Sequence, residues 1–159
     1  MPLTSIQISQ IEALLPLHPI GRIAFRDPEE LLKALSFIMF NEKKVLENAI
    51  DLIDDEPCLL TCIQCSNYQR FLWRVPSKKH TYICLGESHL LFRSLCIDQS
   101  LEFYCPCKSF FEQTRFSSHK VVCKHLLALR LAHHLQRIRI EVVPNEVFID
   151  MMSADTRQP

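Results

Sequence analysis

Four residues constrain this chain more than any others: Cys105 and Cys107 on either side of Pro106, and Cys123 and His125 on either side of Lys124. Together they form a C-x-C-x15-C-x-H pattern of three thiols and one imidazole. That is the ligand number and type of a tetrahedral structural zinc site. Two thiolates flanking a proline can grip one ion from a strand end or tight turn, because Pro106 fixes a backbone angle and removes a donor. After Cys123 a helical apolar period resumes, with Leu127, Leu131, Leu135 and Ile138 on one face. A helix N-terminus favours negative charge, so the thiol of Cys123 is expected to have a lowered pKa. The ion would then join a strand end to a helix start. It would close a loop with little apolar packing of its own, contributing on the order of 10 kcal/mol of folding free energy at neutral pH.

Four protein ligands leave no position for water or substrate, so the expected site is structural and the protein is expected not to be an enzyme. Glu102 and Glu112 are the only carboxylates close in sequence, and neither has a motif context. Cys123 and His125 can also be read as a nucleophile with its base, but two further thiols at fixed spacing favour the metal. His119, four residues before Cys123, competes with His125 as ligand, and the leading assignment keeps His125.

The chain holds eight cysteines in 159 residues. In a secreted protein they would suggest disulfides. The first apolar stretch, residues 11–25, is broken by Glu12, Pro16, His18, Pro19 and Arg22 and does not read as a leader. No run approaches a membrane span, so a reducing compartment is expected. Cys62-Ile-Gln-Cys65 is a C-x-x-C, but on a strand residues three apart point to opposite faces, which favours buried free cysteines. His133-His134 is expected as a solvated pair on the polar side of the last helix. The only glycines are Gly21 and Gly86, which excludes both the G-x-x-x-x-G-K-[ST] and the G-x-G-x-x-G phosphate-binding motifs. No nucleotide is expected to be bound by either route.

The formal net charge is zero but unevenly placed. Residues 1–56 carry five Lys/Arg against ten Asp/Glu, and residues 57–159 carry thirteen against eight. An acidic first part and a basic second part suggest different faces for different partners.

Apolar spacing predicts helices over 5–15, from Asp27 to about Phe40, and over 42–54. Asp27-Pro28-Glu29-Glu30 is a helix start with a cap, a proline at the first position and an early carboxylate. The period then changes to that of strands over 59–65, 68–75, 81–85 and 101–104, with residues 86–100 an insertion or short helix. The helix after Cys123 should fade near Arg139, and a last helical turn covers 145–152. The expected fold is α+β: N-terminal helices, a small antiparallel sheet and a zinc-pinned C-terminal helix. Its organisation is a helical region 1–56, a sheet plus finger over 57–143 with the finger core at 101–136, and a C-terminal turn and disordered tail over 144–159.

Cys105-Pro-Cys107 and Cys123-Lys-His125, with the apolar Leu126-Leu127-Ala128-Leu129 behind them, resemble the SWIM-type zinc finger, whose pattern is C-x-C-x(n)-C-x-H. Within that type the chain is similar to the small SWIM-domain subunits of Shu complexes. The similarity rests on Glu30-Leu-Leu-x-x-Leu, Ala49-Ile-Asp-Leu-Ile-Asp, Thr81-Tyr-Ile-Cys-Leu, Tyr104-Cys-Pro-Cys and Cys123-Lys-His-Leu-Leu-Ala, covering roughly residues 28–137. Residues 86–100 look like an insertion relative to the family. The resemblance implies one structural Zn(2+) held by Cys105, Cys107, Cys123 and His125. It also implies a nuclear role in homologous recombination, as a heterodimer with a RecA-like ATPase-related protein subunit that supports assembly of recombinase filaments on single-stranded DNA. Any ATPase function would belong to the partner. A different class of function is direct binding of single-stranded DNA by the basic part, through Lys108, Arg115, Lys120, Lys124 and Arg130. Such binding would weaken steeply with salt.

Overall fold

The computed structural model describes residues 3–15, 27–55, 60–67, 71–77, 80–86, 103–116 and 122–155. Helix α1 (Ser5–Leu14) starts at a capping box, in which the Thr4 side chain accepts from the Gln7 N–H and the Gln7 side chain accepts from the Thr4 N–H. Ile8, Ile11 and Leu15 are buried beneath it. The Gln7 amide also donates to the Ile38 carbonyl at 2.6 Å, which fixes α1 against the end of α2 (Pro28–Ile38). Helix α2 begins as expected: Asp27 accepts from the Glu29 N–H at 3.1 Å and Pro28 takes the first position. A short 3-10 turn, Phe40–Glu42, hands over to α3 (Lys43–Asp54), which buries Leu46, Ala49, Leu52 and Ile53.

Among the described residues five strands form one sheet: β1 (Thr61–Cys65), β2 (Phe71–Pro76), β3 (Thr81–Gly86), β4 (Phe103–Tyr104) and β5 (Arg139–Val143), in the order β4-β3-β2-β1-β5. The expected α+β class holds. The sheet departs from the expected antiparallel arrangement in one pair: β1 to β4 are antiparallel in sequence, whereas β5 lies parallel to β1. The chain crosses over through α4 (Lys108–Phe116) and α5 (Lys124–His134) before it returns to the far edge, and a parallel pairing requires such a crossover. Residues 87–102, which include most of the expected insertion, lie outside the described residues.

Both faces of the sheet are covered. Leu60, Val75 and Cys84 join the main core with α1, α2, α3 and α5. On the other face Ile63, Cys65, Leu72 and Val143 surround Phe148 of α6 (Asn145–Asp155). The expected single C-terminal turn is therefore a full helix, ordered because Phe148 has an apolar seat. Burial pushes the Cys62 thiol up to about 11, so it remains protonated at neutral pH and serves as a core residue. The six described cysteines are all free and buried. Among the described residues no helix is long and apolar enough to cross a membrane.

Helix α5 lies between α3 and β2. Every residue from His125 to Ala132, and His134, is buried, where one apolar face was expected. A helix packed on opposite sides has no solvent face. Two expectations fall with this. His134 is buried and His133 is half-buried, edge-on to Trp73 at 6.4 Å, so they are not a solvated pair. Burial, and then its neighbour His134, hold the His133 pKa below its ordinary value. Arg130 is only 7% exposed and donates to the Leu15 carbonyl at 3.1 Å, satisfying an acceptor at the end of α1. The helix stops at a Schellman turn: Arg137 N–H bonds Ala132 O at 2.8 Å and Gln136 N–H bonds His133 O at 3.2 Å. Gln136 occupies the left-handed region at φ 56°. The expected fade near Arg139 is thus five residues late, and 139–143 form a strand.

Two stability outcomes follow. Leu127→Ala, at a site with no exposure, should cost about 2–5 kcal/mol in urea unfolding. Gln136→Gly should raise stability by about 1 kcal/mol, because glycine adopts φ > 0 without the Cβ clash.

Candidate metal centre

Three elements converge on the C-terminal half. Strand β4 runs directly into Cys105. Cys107 then caps α4: its carbonyl accepts from the Phe111 N–H at 3.1 Å and its sulfur from the Phe110 N–H at 3.4 Å. Cys123 is the N-cap of α5, with extended φ −91° and ψ 167°, and His125 sits in the first turn. The ligand atoms of Cys105, Cys107, Cys123 and His125 all lie within 4.8 Å of one another, and all four residues are buried. His125 Nδ1 is 3.6 Å from Cys105 Sγ.

That spacing fits zinc. Zn–S of about 2.3 Å and Zn–N of about 2.0–2.1 Å at a tetrahedral angle require an S···N edge of roughly 3.6 Å. His125 Nε2 is buried with no hydrogen-bond partner among the described residues, so the ring's polar contact is on the Nδ1 side, towards the sulfurs. The Tyr82 ring lies on the imidazole at 4.2 Å between centroids and closes that side, while Phe110, edge-on to Tyr104 at 5.7 Å, closes another. The donor set can hold one zinc ion, with three thiolates and one imidazole filling the shell. Zinc held there supplies a fixed cross-link between β4, α4 and α5.

The thiols divide unequally. Hydrogen bonds from Cys105, then from Cys123, hold the Cys107 thiol far below the usual range, with the Phe110 N–H assisting. Cys105 is pushed up chiefly by its hydrogen bond with Cys107, and Cys123 chiefly by its hydrogen bond with Cys105. The lowered thiol expected at Cys123 is therefore found at Cys107. Cys107 also stands at a helix N-terminus, that of α4, and there a backbone N–H points at its sulfur.

Helix α4 occupies residues expected to form a thinly packed loop. Among the described residues of this short amphipathic stretch, Phe110 is the buried anchor. The basic residues considered for DNA contact do not form one patch. Lys108 and Arg115 are exposed on α4, where Lys108 pairs with Glu112 at 3.6 Å and Arg115 lies over the Phe111 ring at 5.4 Å. Lys124 is half-buried. Arg130 is removed from the set by its burial against Leu15. Lys120 lies outside the described residues, as does His119. Tyr82 was missed as a wall of the site. The signal for it was the alternation of β3, which places residue 82 on the covered face.

The fold and this donor set define a Cys3His zinc-finger protein built on a mixed sheet. The chain is 30% identical over 137 residues to zinc finger SWIM domain-containing protein 7 of Mus musculus, spanning 86% of this chain and 78% of that protein. It is 26% identical over 133 residues to the protein of the same name from Homo sapiens, spanning 84% and 81%. With the Danio rerio protein of that name it shares 25% identity over 132 residues, spanning 83% and 79%. The chain belongs to the SWIM-type zinc finger family. No family model matches it, and no solved structure matches it.

Cys105→Ser and His125→Ala should each lower zinc content, measured by elemental analysis, and lower the melting temperature. Because the raised thiols of Cys105 and Cys123 must lose protons to bind the ion, acid competes with zinc. Affinity by chelator competition should fall on acidification, by about tenfold per pH unit for each proton displaced.

Proposed function

We propose that this chain is a non-enzymatic, zinc-binding subunit of a nuclear Shu-type complex. It pairs with a RecA-like ATPase-related protein subunit and supports assembly of the recombinase filament on single-stranded DNA in homologous recombination repair. The resemblance to small Shu subunits and the family membership support the setting. The observation that carries the partner-binding role is the apolar surface on the N-terminal helices: Phe37 is 86% and Phe40 81% exposed, and Ile6 is 73% exposed. Two aromatic rings held out at the end of a helix are costly in water and are the residue type that anchors protein interfaces. The Cys3His shell favours a structural over a catalytic role, since it leaves no ligand position for substrate. The chain contains no phosphate loop of its own, so nucleotide chemistry falls to the partner.

Direct binding of single-stranded DNA is the second reading. The exposed Lys108, Phe111 and Arg115 of α4 favour it, since they combine cations with a stackable ring. The Lys108–Glu112 pair and the burial of Arg130 weaken it.

Phe37→Ala/Phe40→Ala should reduce co-purification of the RecA-like subunit by on the order of tenfold or more, as loss of interface anchors does. Zinc content and melting temperature should stay unchanged, because neither ring is in the core. Undiminished association would remove this surface from the interface. In filter binding to single-stranded DNA, the subunit alone should show weak retention with little salt dependence; a steep fall with salt would favour the DNA reading.

A further inference from the structure

Strand β5 ends the sheet, and its outer edge has no neighbouring strand among the described residues. The direction of its backbone groups is fixed from both ends. Arg139 N–H bonds Leu60 O at 3.0 Å, and Val143 O accepts from Ser66 N–H at 2.9 Å. Residues 139 and 143 therefore turn their backbone groups towards β1. Alternation along the strand turns those of Ile140 and Val142 outwards, to the open edge. Ile140 is 69% and Val142 62% exposed, on one face, although both are apolar and β-branched. Ile138, half-buried against the main core, continues that row by one step. The other face carries the exposed Arg139 and Glu141, which reaches Arg74 of β2 at 3.3 Å. Sheet edges are commonly guarded by lysine, proline or a bulge. Residues 139–143 contain no lysine or proline, and their register against β1 runs without a bulge.

We propose that β5 is a contact between two copies of this chain: it pairs antiparallel with β5 of a second copy about a two-fold axis at Ile140, and the two sheets become continuous. Outward backbone groups must meet outward ones, so only every second register is open. With Ile140 opposite Ile140 of the second copy, Arg139 comes opposite Glu141 and Ile138 opposite Val142, each twice by symmetry. Opposite charges then meet on one face, and apolar side chains line up on the other. Sliding one strand by two residues puts Glu141 opposite Glu141 in one direction and Arg139 opposite Arg139 in the other. Like charges directly opposed are unfavourable. One register thus makes both faces of this edge complementary to themselves, which selects a second copy over an unrelated strand. Glu141 has two carboxylate oxygens, enough to accept from Arg74 and from Arg139 of the second copy. The pairing is short, so the dimer belongs to the weak, reversible class. It uses neither Phe37 nor Phe40 and does not depend on the subunit pairing proposed above.

The test is sedimentation velocity on the full-length, zinc-loaded protein, with concentration raised through the micromolar range. The wild type should pass reversibly from monomer to dimer. Arg139→Glu and Glu141→Arg, each alone, put like charges opposite one another twice and should weaken dimerisation by about tenfold or more. Mixed in equal amounts, the two variants should associate with close to wild-type affinity, because every like pair becomes an unlike pair. Two losses and one rescue are the signature of the register centred on Ile140. Ile140→Pro removes an outward N–H, spares the ladder to β1 and should abolish the dimer. Melting temperature and zinc content should stay close to the wild type in the charge variants. Should Ile140→Pro fail to fold, Ile140→Lys sets two ammonium groups against each other at the axis and is read in the same way. A wild type that stays monomeric at every concentration would overturn the proposal. A dimer that survives both charge variants, or single variants that do not associate on mixing, would overturn it equally.

Discussion

Helix α5 carries two loads at once. Its body, from His125 to Ala132, is buried on every side and forms the axis of the main core. Its first turn, with the N-cap before it, provides half of the metal donor set. The centre is thus coupled to the largest block of buried apolar surface in the protein. An ion that pulls Cys123 and His125 towards Cys105 and Cys107 also sets the position and rotation of α5. Helix α3 and strand β2 then pack against a helix whose start is fixed. Burying a thiol cluster without an ion would leave like charges or awkward shared protons in a dry site, as the opposed shifts of Cys107 and of Cys105 and Cys123 show.

The surroundings of the cluster explain why it suits a structural role. Tyr82 covers the imidazole, and Phe110 anchors α4 beside the paired cysteines. Cys107 is both ligand and helix cap, so the same residue ends the β4 connection and begins α4. Each ligand belongs to, or borders, a regular element, which makes the geometry stiff. That stiffness extends to the N-terminal layer, because Arg130 in the middle of α5 ties the end of α1 through Leu15. The exposed Phe37 and Phe40 lie in that layer, at the end of α2 that the Gln7 amide holds against α1. The exposed aromatic pair at one end and the metal centre at the other are joined through one helix.

Some of this was legible in the residues. The α2 start could be read at Asp27-Pro28 because capping is local chemistry. The donor set could be read because few other patterns place three thiols and an imidazole so close. The end of α5 was hidden for a specific reason: its Schellman turn uses Gln136 at positive φ, where a glycine would have marked the stop. Strand β5 was hidden with it, since Ile138 also continues the helical stripe of Leu127, Leu131 and Leu135, although the alternation of Ile138, Ile140 and Val142 is a strand's period. The burial of Arg130 was also unreadable, because a guanidinium in a helical stripe looks solvated until the carbonyl it satisfies, 115 residues away, is known. Helix α4 was missed because Phe110 is a single anchor, too few to show a period.

The coupling of metal to fold is tested most directly by amide hydrogen exchange on the chelator-treated protein, with and without one equivalent of zinc. Zinc should slow exchange strongly through Tyr104–Arg115 and the first turns of α5, and more weakly in α3, which packs on α5. The same exchange pattern with and without zinc would contradict a centre on which the core depends.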